Sequence, residues 1–325
     1  MRNRLLFAGK IAVSGGLIAF LVYRVDLAHF YAALRRVRIE LFALGLLTSA
    51  ASVFVRAYKW QLLLNPHGKR FSVRELSAVS FISLFFNNFF LGSLGGDIYK
   101  FYITGSGSAS RTGPASSIIM DRATGVLVLA LTAAVAGVFI HLDGGLLVSS
   151  SDLRAIGAAC LAIFIATYAG FRILFRVGEW GFLKRFPKLG GLADDVAAST
   201  KIYAKHRGEL FAACLLGFLC ILLTSFALYL YSRAAHVEIR FLWWLFVNPI
   251  VSFLAMLPVS ANGLGVQEGA FMVYLSRLGV DAASALLIAL LPRIEVIALS
   301  ILGGILYLFR NGGSMGAVEA DDRLA

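Results

Sequence analysis

The sequence predicts an all-α polytopic membrane protein with about six full transmembrane helices and two broken, re-entrant helical hairpins. Three observations lead there. The chain of 325 residues is 59% hydrophobic and 15% charged, against roughly 45–50% apolar and about 25% charged in soluble domains. Its apolar residues fall into long runs of spanning length. Two further runs are interrupted by Gly and Pro clusters, which end helices locally.

A spanning helix needs roughly 20 mostly apolar residues. The runs that qualify are 5–23, 41–60, 118–141, 153–175, 209–231 and 282–309. The first follows Met1-Arg2-Asn3-Arg4 and has the outline of a signal peptide, but Lys10 interrupts it and no small-residue cleavage site follows. It reads as an uncleaved membrane helix. The first broken run, 76–104, gives way at Gly92-Ser93-Leu94-Gly95-Gly96-Asp97, and Asn87 and Asn88 end its first half. The second, 242–279, breaks at Leu257-Pro258 through Gly263-Leu264-Gly265, and Asn248-Pro249 interrupts it earlier. Irregular backbone at membrane depth survives only where protein or a water-filled space satisfies it. Both runs are therefore candidate re-entrant hairpins, with ordinary spans joined by tight loops as the alternative.

Charge sets the expected orientation. Segment 172–207 holds Arg172, Arg176, Lys184, Arg185, Lys188, Lys201, Lys205 and Arg207, and segment 56–75 holds Arg56, Lys59, Lys69, Arg70 and Arg74. Segment 142–152 carries Asp143 and Asp152 without Lys or Arg. The positive-inside rule places the first two in the cytoplasm and the third outside, with both termini cytoplasmic in the inner membrane. Arg24, Arg35, Arg36 and Arg38 run against this pattern, as an amphipathic surface helix would. The formal net charge of +12 then serves topology and anionic lipid heads, and no nucleic-acid partner is expected.

With this orientation the first hairpin inserts from the cytoplasm and the second from outside, the arrangement of an inverted repeat. Asp97 precedes Arg122 by 25 residues, and Glu268 precedes Arg293 by the same number. The candidate halves are 41–141 and 209–309, joined by the basic connector 172–207 within one domain, 1–325. Transporters built this way bind substrate near the midplane, at broken helices in matching positions.

Ionisable side chains inside apolar spans are costly and usually pair or line a pathway. The candidates for substrate binding or translocation are Asp97, Lys100, Arg122, Gly263, Gly265, Glu268 and Arg293, with Asp121, Glu295, Asn87 and Asn88 in structural or coupling roles. Lys10 and Arg56 lie near predicted ends and can snorkel. Arg122 and Arg293 suit bidentate phosphate binding, or else form structural ion pairs with Asp121 or Glu295. Arg122 can face Asp97 while Asp121 meets Lys100. Glu268 lies one turn into a half-helix whose free N–H groups attract an anion, either a lipid phosphate or the Glu268 carboxylate acting as a cap. The asparagines can bridge helices.

Catalytic templates fail. Gly105-Ser106-Gly107-Ser108 lacks the Lys of a phosphate loop, and His29, His67, His141, His206 and His236 are dispersed. There is no nucleophile elbow. Cys160, Cys214 and Cys220 lie in apolar stretches and read as small hydrophobes. No enzyme activity, cofactor or metal is expected.

Phe89 through Lys100, Asp121-Arg122-Ala123-Thr124-Gly125, and Leu257-Pro258 through Gly263-Leu264-Gly265-Val266-Gln267-Glu268 together resemble one family, the lysylphosphatidylglycerol synthase transmembrane region or flippase-like domain. The likeness spans nearly the whole chain. It departs at Lys100, where the family commonly has Arg, and in lacking a Pro before the first Gly run. That domain forms the membrane half of the bacterial multiple peptide resistance factor, whose soluble half transfers an aminoacyl group to phosphatidylglycerol. The resemblance implies the translocating half without the synthase, hence a flippase for an anionic phospholipid or a polyprenyl-linked head group. The competing expectation is a non-transporting membrane scaffold for a glycosyltransferase or lipid-modifying enzyme. A membrane-embedded transferase is a third reading that lacks a catalytic constellation.

Overall fold

A computed structural model of the chain describes residues 14–17, 19–21, 23, 25–68, 71–89, 95–105, 112–143, 169, 202–203, 205–256 and 260–321, the last eleven by backbone alone. The predicted spans 5–23 and 153–175 lie mostly outside these residues, as do the connector 172–207, residues 90–94 and Cys160. The described elements are helices: α1 Leu27–Arg35, α2 Ile39–Leu64, α3 Val73–Phe89, α4 Gly95–Gly105, α5 Thr112–Leu142, α6 Arg207–Ala234, α7 Phe241–Met256, α8 Val266–Arg277 and α9 Ala282–Asp321.

Four of them, α2, α5, α6 and α9, are long and apolar enough to cross a bilayer, so this is an all-α, multi-pass membrane protein. Helix α2 runs past the expected end at residue 60. It stops where Asn65-Pro66 cannot continue it, since proline removes a donor and disfavours helix in the residue before it. Helix α5 starts earlier than expected because Ser116 and Ser117, polar residues that closed the apolar run, are helical. Ser117 Oγ accepts from the Trp60 indole at 3.1 Å, and Ser116 Oγ lies 3.2 Å from His67 Nε2.

The ends sort into two groups. At one, the Tyr203 hydroxyl donates to the Leu63 carbonyl at 2.6 Å, the His67 and Tyr203 rings meet edge to face, and Gln61 donates to the Phe71 carbonyl. The end of α2 and the starts of α3, α5 and α6 are thereby gathered together. At the other, the Arg38 amide donates to the Ala234 carbonyl at 3.0 Å, His236 reaches the Arg36 carbonyl, and Arg240 pairs with Asp143. This joins the start of α2, the ends of α5 and α6, and the start of α7.

Helix α1 carries Arg35 and has no buried residue, and Leu27, Tyr31 and Leu34 are exposed along it at helical spacing. Asp26 caps its start, accepting from the Ala28 amide at 2.9 Å. An amphipathic helix of this kind is what the outlying arginines required.

Asn248-Pro249 does not interrupt the chain as expected: α7 runs through it to Met256. Asn248 Nδ2 donates to Thr224 and Ser225, each at 3.0 Å, tying α7 to α6 where the proline leaves the helix weakest. The break comes later, where Asn262, Gly263 and Gly265 take φ of +50°, +72° and +83°, values that side chains with a Cβ resist and glycine does not.

Lipid offers no hydrophobic drive between helices, so close packing must hold them. Where α9 crosses α3 it presents Gly303 and Gly304. A Cβ on Gly303 would strike the Phe81 carbonyl, and one on Gly304 would lie 2.9 Å from the Phe85 ring. Gly303→Val should therefore lower thermal stability in detergent by at least the about 1–3 kcal/mol of an overpacked core. Gly208→Ala, with nothing within 4 Å, should leave it unchanged.

Candidate functional site: two matched ion pairs at broken helices

Asp97 and Glu268 occupy the third position of α4 and α8, the helices that restart after each break. A carboxylate in a first turn is stabilised by the helix dipole and by unpaired N–H groups. Each carboxylate then takes an arginine from the next long helix. Arg122 Nη2 lies 2.6 Å from Asp97 Oδ2, with its Nε at 3.1 Å. Arg293 Nη2 lies 2.7 Å from Glu268 Oε1, with its Nε at 2.8 Å. The repeated 25-residue spacing is thus one contact made twice.

The second pair is the more enclosed. Side-chain exposure is 14% for Arg293 and 3% for Glu268, against 39% for Arg122 and 21% for Asp97. Glu268 is also a cap: its Oε2 accepts from the Gly265 amide at 2.7 Å. That amide, a donor expected for an external anion, is already bonded. Arg293 reaches Gln267 Oε1 at 3.2 Å and the Asn262 carbonyl at 3.4 Å, holding the bend from its far side. A Cβ on Gly265 would press on Leu17 at 2.6 Å, so the N-terminal segment lies against this bend.

The two breaks touch. Asn262 Nδ2 donates to Asn88 Oδ1 at 2.6 Å, and Asn88 Nδ2 in turn donates to Ser300 Oγ on α9. Asn87 Oδ1 accepts from the Gly96 amide at 2.8 Å and so caps α4 from the end of α3. The asparagines therefore bridge helices, as expected, and supply the donors and acceptors that a broken backbone in lipid requires.

Three expected pairings differ. Neither Arg122 with Asp121 nor Arg293 with Glu295 forms an ion pair among the described residues. Asp121 meets Lys59 rather than Lys100, with Nζ 3.0 Å from Oδ1 and 3.1 Å from the Asp121 carbonyl. Counting Lys59 with the basic loop 56–75 missed this. It is buried within α2, and its ammonium lies under 4 Å from where a Cβ on Gly125 or Gly217 would sit. The available signal was its three-residue separation from Arg56, which puts both on one helical face. Arg56 also lies within α2. Its side chain is exposed there, unlike that of Lys59.

Lys100 is 8% exposed. Its ammonium stands 4.8 Å from the centre of the Trp60 ring, and no carboxylate lies within ion-pair distance of it among the described residues. Glu295 has a neutral partner, the Tyr231 hydroxyl, which donates to its Oε2 at 2.5 Å.

A family model for the lysylphosphatidylglycerol synthase TM region matches residues 7–304. The chain belongs to that family. Membership of the lysylphosphatidylglycerol synthase transmembrane family supports a role connected with membrane lipid, and both ion pairs lie within the matched residues. No curated protein matches the chain.

Removing one partner of a buried pair strands the other, at a cost of about 3–5 kcal/mol. Arg293→Gln should lose stability on that scale, and the double change Glu268→Gln/Arg293→Gln should lose less. The more open Arg122→Gln should fall toward the ~1 kcal/mol of a screened pair. Simple additivity in a double-mutant cycle of thermal unfolding in detergent would dissolve the coupling at Glu268 and Arg293.

Proposed function

We propose that this chain carries a lipid with an anionic head group between the leaflets of the cytoplasmic membrane, without altering it chemically. The observation that carries the reading is Lys100, a cation buried beside the first break with no carboxylate within ion-pair distance among the described residues. An unpaired buried charge is expensive. Among the described residues Arg122, Arg293 and Lys59 each pair with an acid of this chain, whereas Lys100 has no carboxylate within ion-pair distance and is free to take an anion from outside. A lipid phosphate is an anion that the bilayer supplies. Arg122, more open than Arg293, is placed to share it by exchanging part of its hold on Asp97.

The same reading takes α3–α4 and α7–α8 as re-entrant hairpins inserted from opposite sides, the two halves of an inverted repeat. Three observations support it. The starts of α3 and α5 lie at one end of the bundle and the start of α7 at the other, the breaks meet at Asn88 and Asn262, and the ion pairs occupy matching positions. Charge asymmetry puts Asp143 outside. In a variant lacking Cys160, Cys214 and Cys220, a cysteine at Gly144 should react with an impermeant thiol reagent on intact cells and one at Gly190 should not. The reverse pattern overturns the orientation.

Function is tested in liposomes by dithionite quenching of a fluorescent anionic phospholipid. Wild-type protein should accelerate its movement between leaflets, and Lys100→Arg should retain this. Lys100→Met should abolish it while raising thermal stability, because the costly charge is gone. Loss of transport together with loss of stability would mean that Lys100 is structural. No acceleration by wild-type protein would sink the transport reading.

A further inference from the structure

We propose that Trp60 is the positioning residue of the anion site: its indole face holds the Lys100 ammonium charged and in place for the head group. The inference rests on the transport reading for the ligand, though not for the contact between ring and ammonium.

The two side chains come from separate helices, and each is placed by the backbone around it. Gly96 lets α4 lie hard against α3, since a Cβ there would stand 2.5 Å from the Ser83 carbonyl. Lys100 follows four residues later on the same face of α4, and its side chain is carried into the interior, where it is buried. Trp60 enters from α2 and is fully buried in one cluster with Ala57, Leu76 and Val79. The Lys100 Nζ stands over its ring, 4.8 Å from the centroid.

The ring is anchored. Ser117 Oγ donates to the Pro114 carbonyl at 2.8 Å, which commits its one proton and leaves a lone pair for the indole N–H. Trp60 Nε1 donates to that oxygen at 3.1 Å. The indole is thus tied to α5 at its polar edge and packed by apolar side chains, and its face stays on the ammonium.

A buried amine escapes the cost of its charge by giving up its proton. A carboxylate would prevent this, but Asp97 is bonded to Arg122 and Asp121 to Lys59. A carboxylate would also satisfy the cation and so exclude a phosphate. The quadrupole of an aromatic face attracts a cation without neutralising it, most strongly for indole and where water is excluded. The ammonium keeps its positive charge for an incoming anion. It carries three N–H donors, and none of them meets an acceptor among the described residues.

Tryptophan analogues test this on full-length protein, because ring fluorines withdraw density from the π face with little change in size. Binding of a fluorescent short-chain phosphatidylglycerol in nanodiscs should weaken stepwise through mono-, di- and trifluorotryptophan, by about tenfold across the series. In Trp60→Phe, whose remaining tryptophans are still replaced, the series should be flat. Lys100→Arg should bind alike in every analogue, since guanidinium stays charged without help. Trp60→Leu should lose binding and Trp60→Leu/Lys100→Arg should regain it, a rescue that a purely structural tryptophan would not show. A flat series in wild type, or failure of the rescue, overturns the proposal. The contact is read separately by fluorine resonance of 5-fluorotryptophan protein without lipid, where Lys100→Met should move the Trp60 signal. An unmoved signal also overturns the proposal. Should wild type bind no lipid while that signal moves, the hold of the ring on the ammonium stands and the transport reading falls.

Discussion

The described site answers to one constraint: a helix broken inside the bundle of a membrane protein must find partners for its backbone within the protein. Soluble proteins meet a broken helix with water. Here the partners are side chains brought from other elements. Asn87 satisfies the Gly96 amide, Glu268 the Gly265 amide, and Arg293 the Asn262 carbonyl. Each partner then needs support of its own. Glu268 could not remain charged as a cap without Arg293, and Arg293 could not lie in α9 without Glu268. The ion pairs follow from the breaks. They are therefore first of all structural.

Close approach of the helices serves the same end. Asn88 can reach both Asn262 and Ser300 only if α3 lies hard against α9, which Gly303 and Gly304 allow. Small residues in α9 thus set the distance over which the asparagine bridge acts. Packing and polar satisfaction form one arrangement.

Much of the site was legible in the sequence, because the signal was a repeated interval. Asp97 to Arg122 and Glu268 to Arg293 share a spacing, and the structure brings both pairs together. A glycine break followed by a carboxylate is also visible in one dimension, since glycine marks the turn and the acid marks the helix start. What escaped depended on contacts between distant elements. Lys59 reads as a loop lysine until α2 is seen to run to Leu64, and its partner Asp121 lies on another helix with no periodic relation to it. Assigning Asp121 to Lys100 followed from its pointing away from Arg122, but the lysine within ion-pair distance is Lys59 of α2. Helix α5 was cut short at Ser116 and Ser117, whose hydroxyls find His67 and Trp60 only in three dimensions. Polarity ended the run on paper, and tertiary hydrogen bonds restored it.

The two pairs agree in position, so the informative residues are those that the second set lacks. Beside Asp97–Arg122 stand Lys59–Asp121 and the unmatched Lys100. Beside Glu268–Arg293 stands Glu295, unmatched in the opposite sense and served by hydroxyls. A frame that only needed to hold its breaks would stop at the paired charges, because each further buried ion costs stability. The surplus cation and the surplus acid bring no such return. A buried cation is neutralised by acquiring an anion and a buried acid by acquiring a proton. The shared ion pairs hold the two breaks, and the unshared charges lie outside that task.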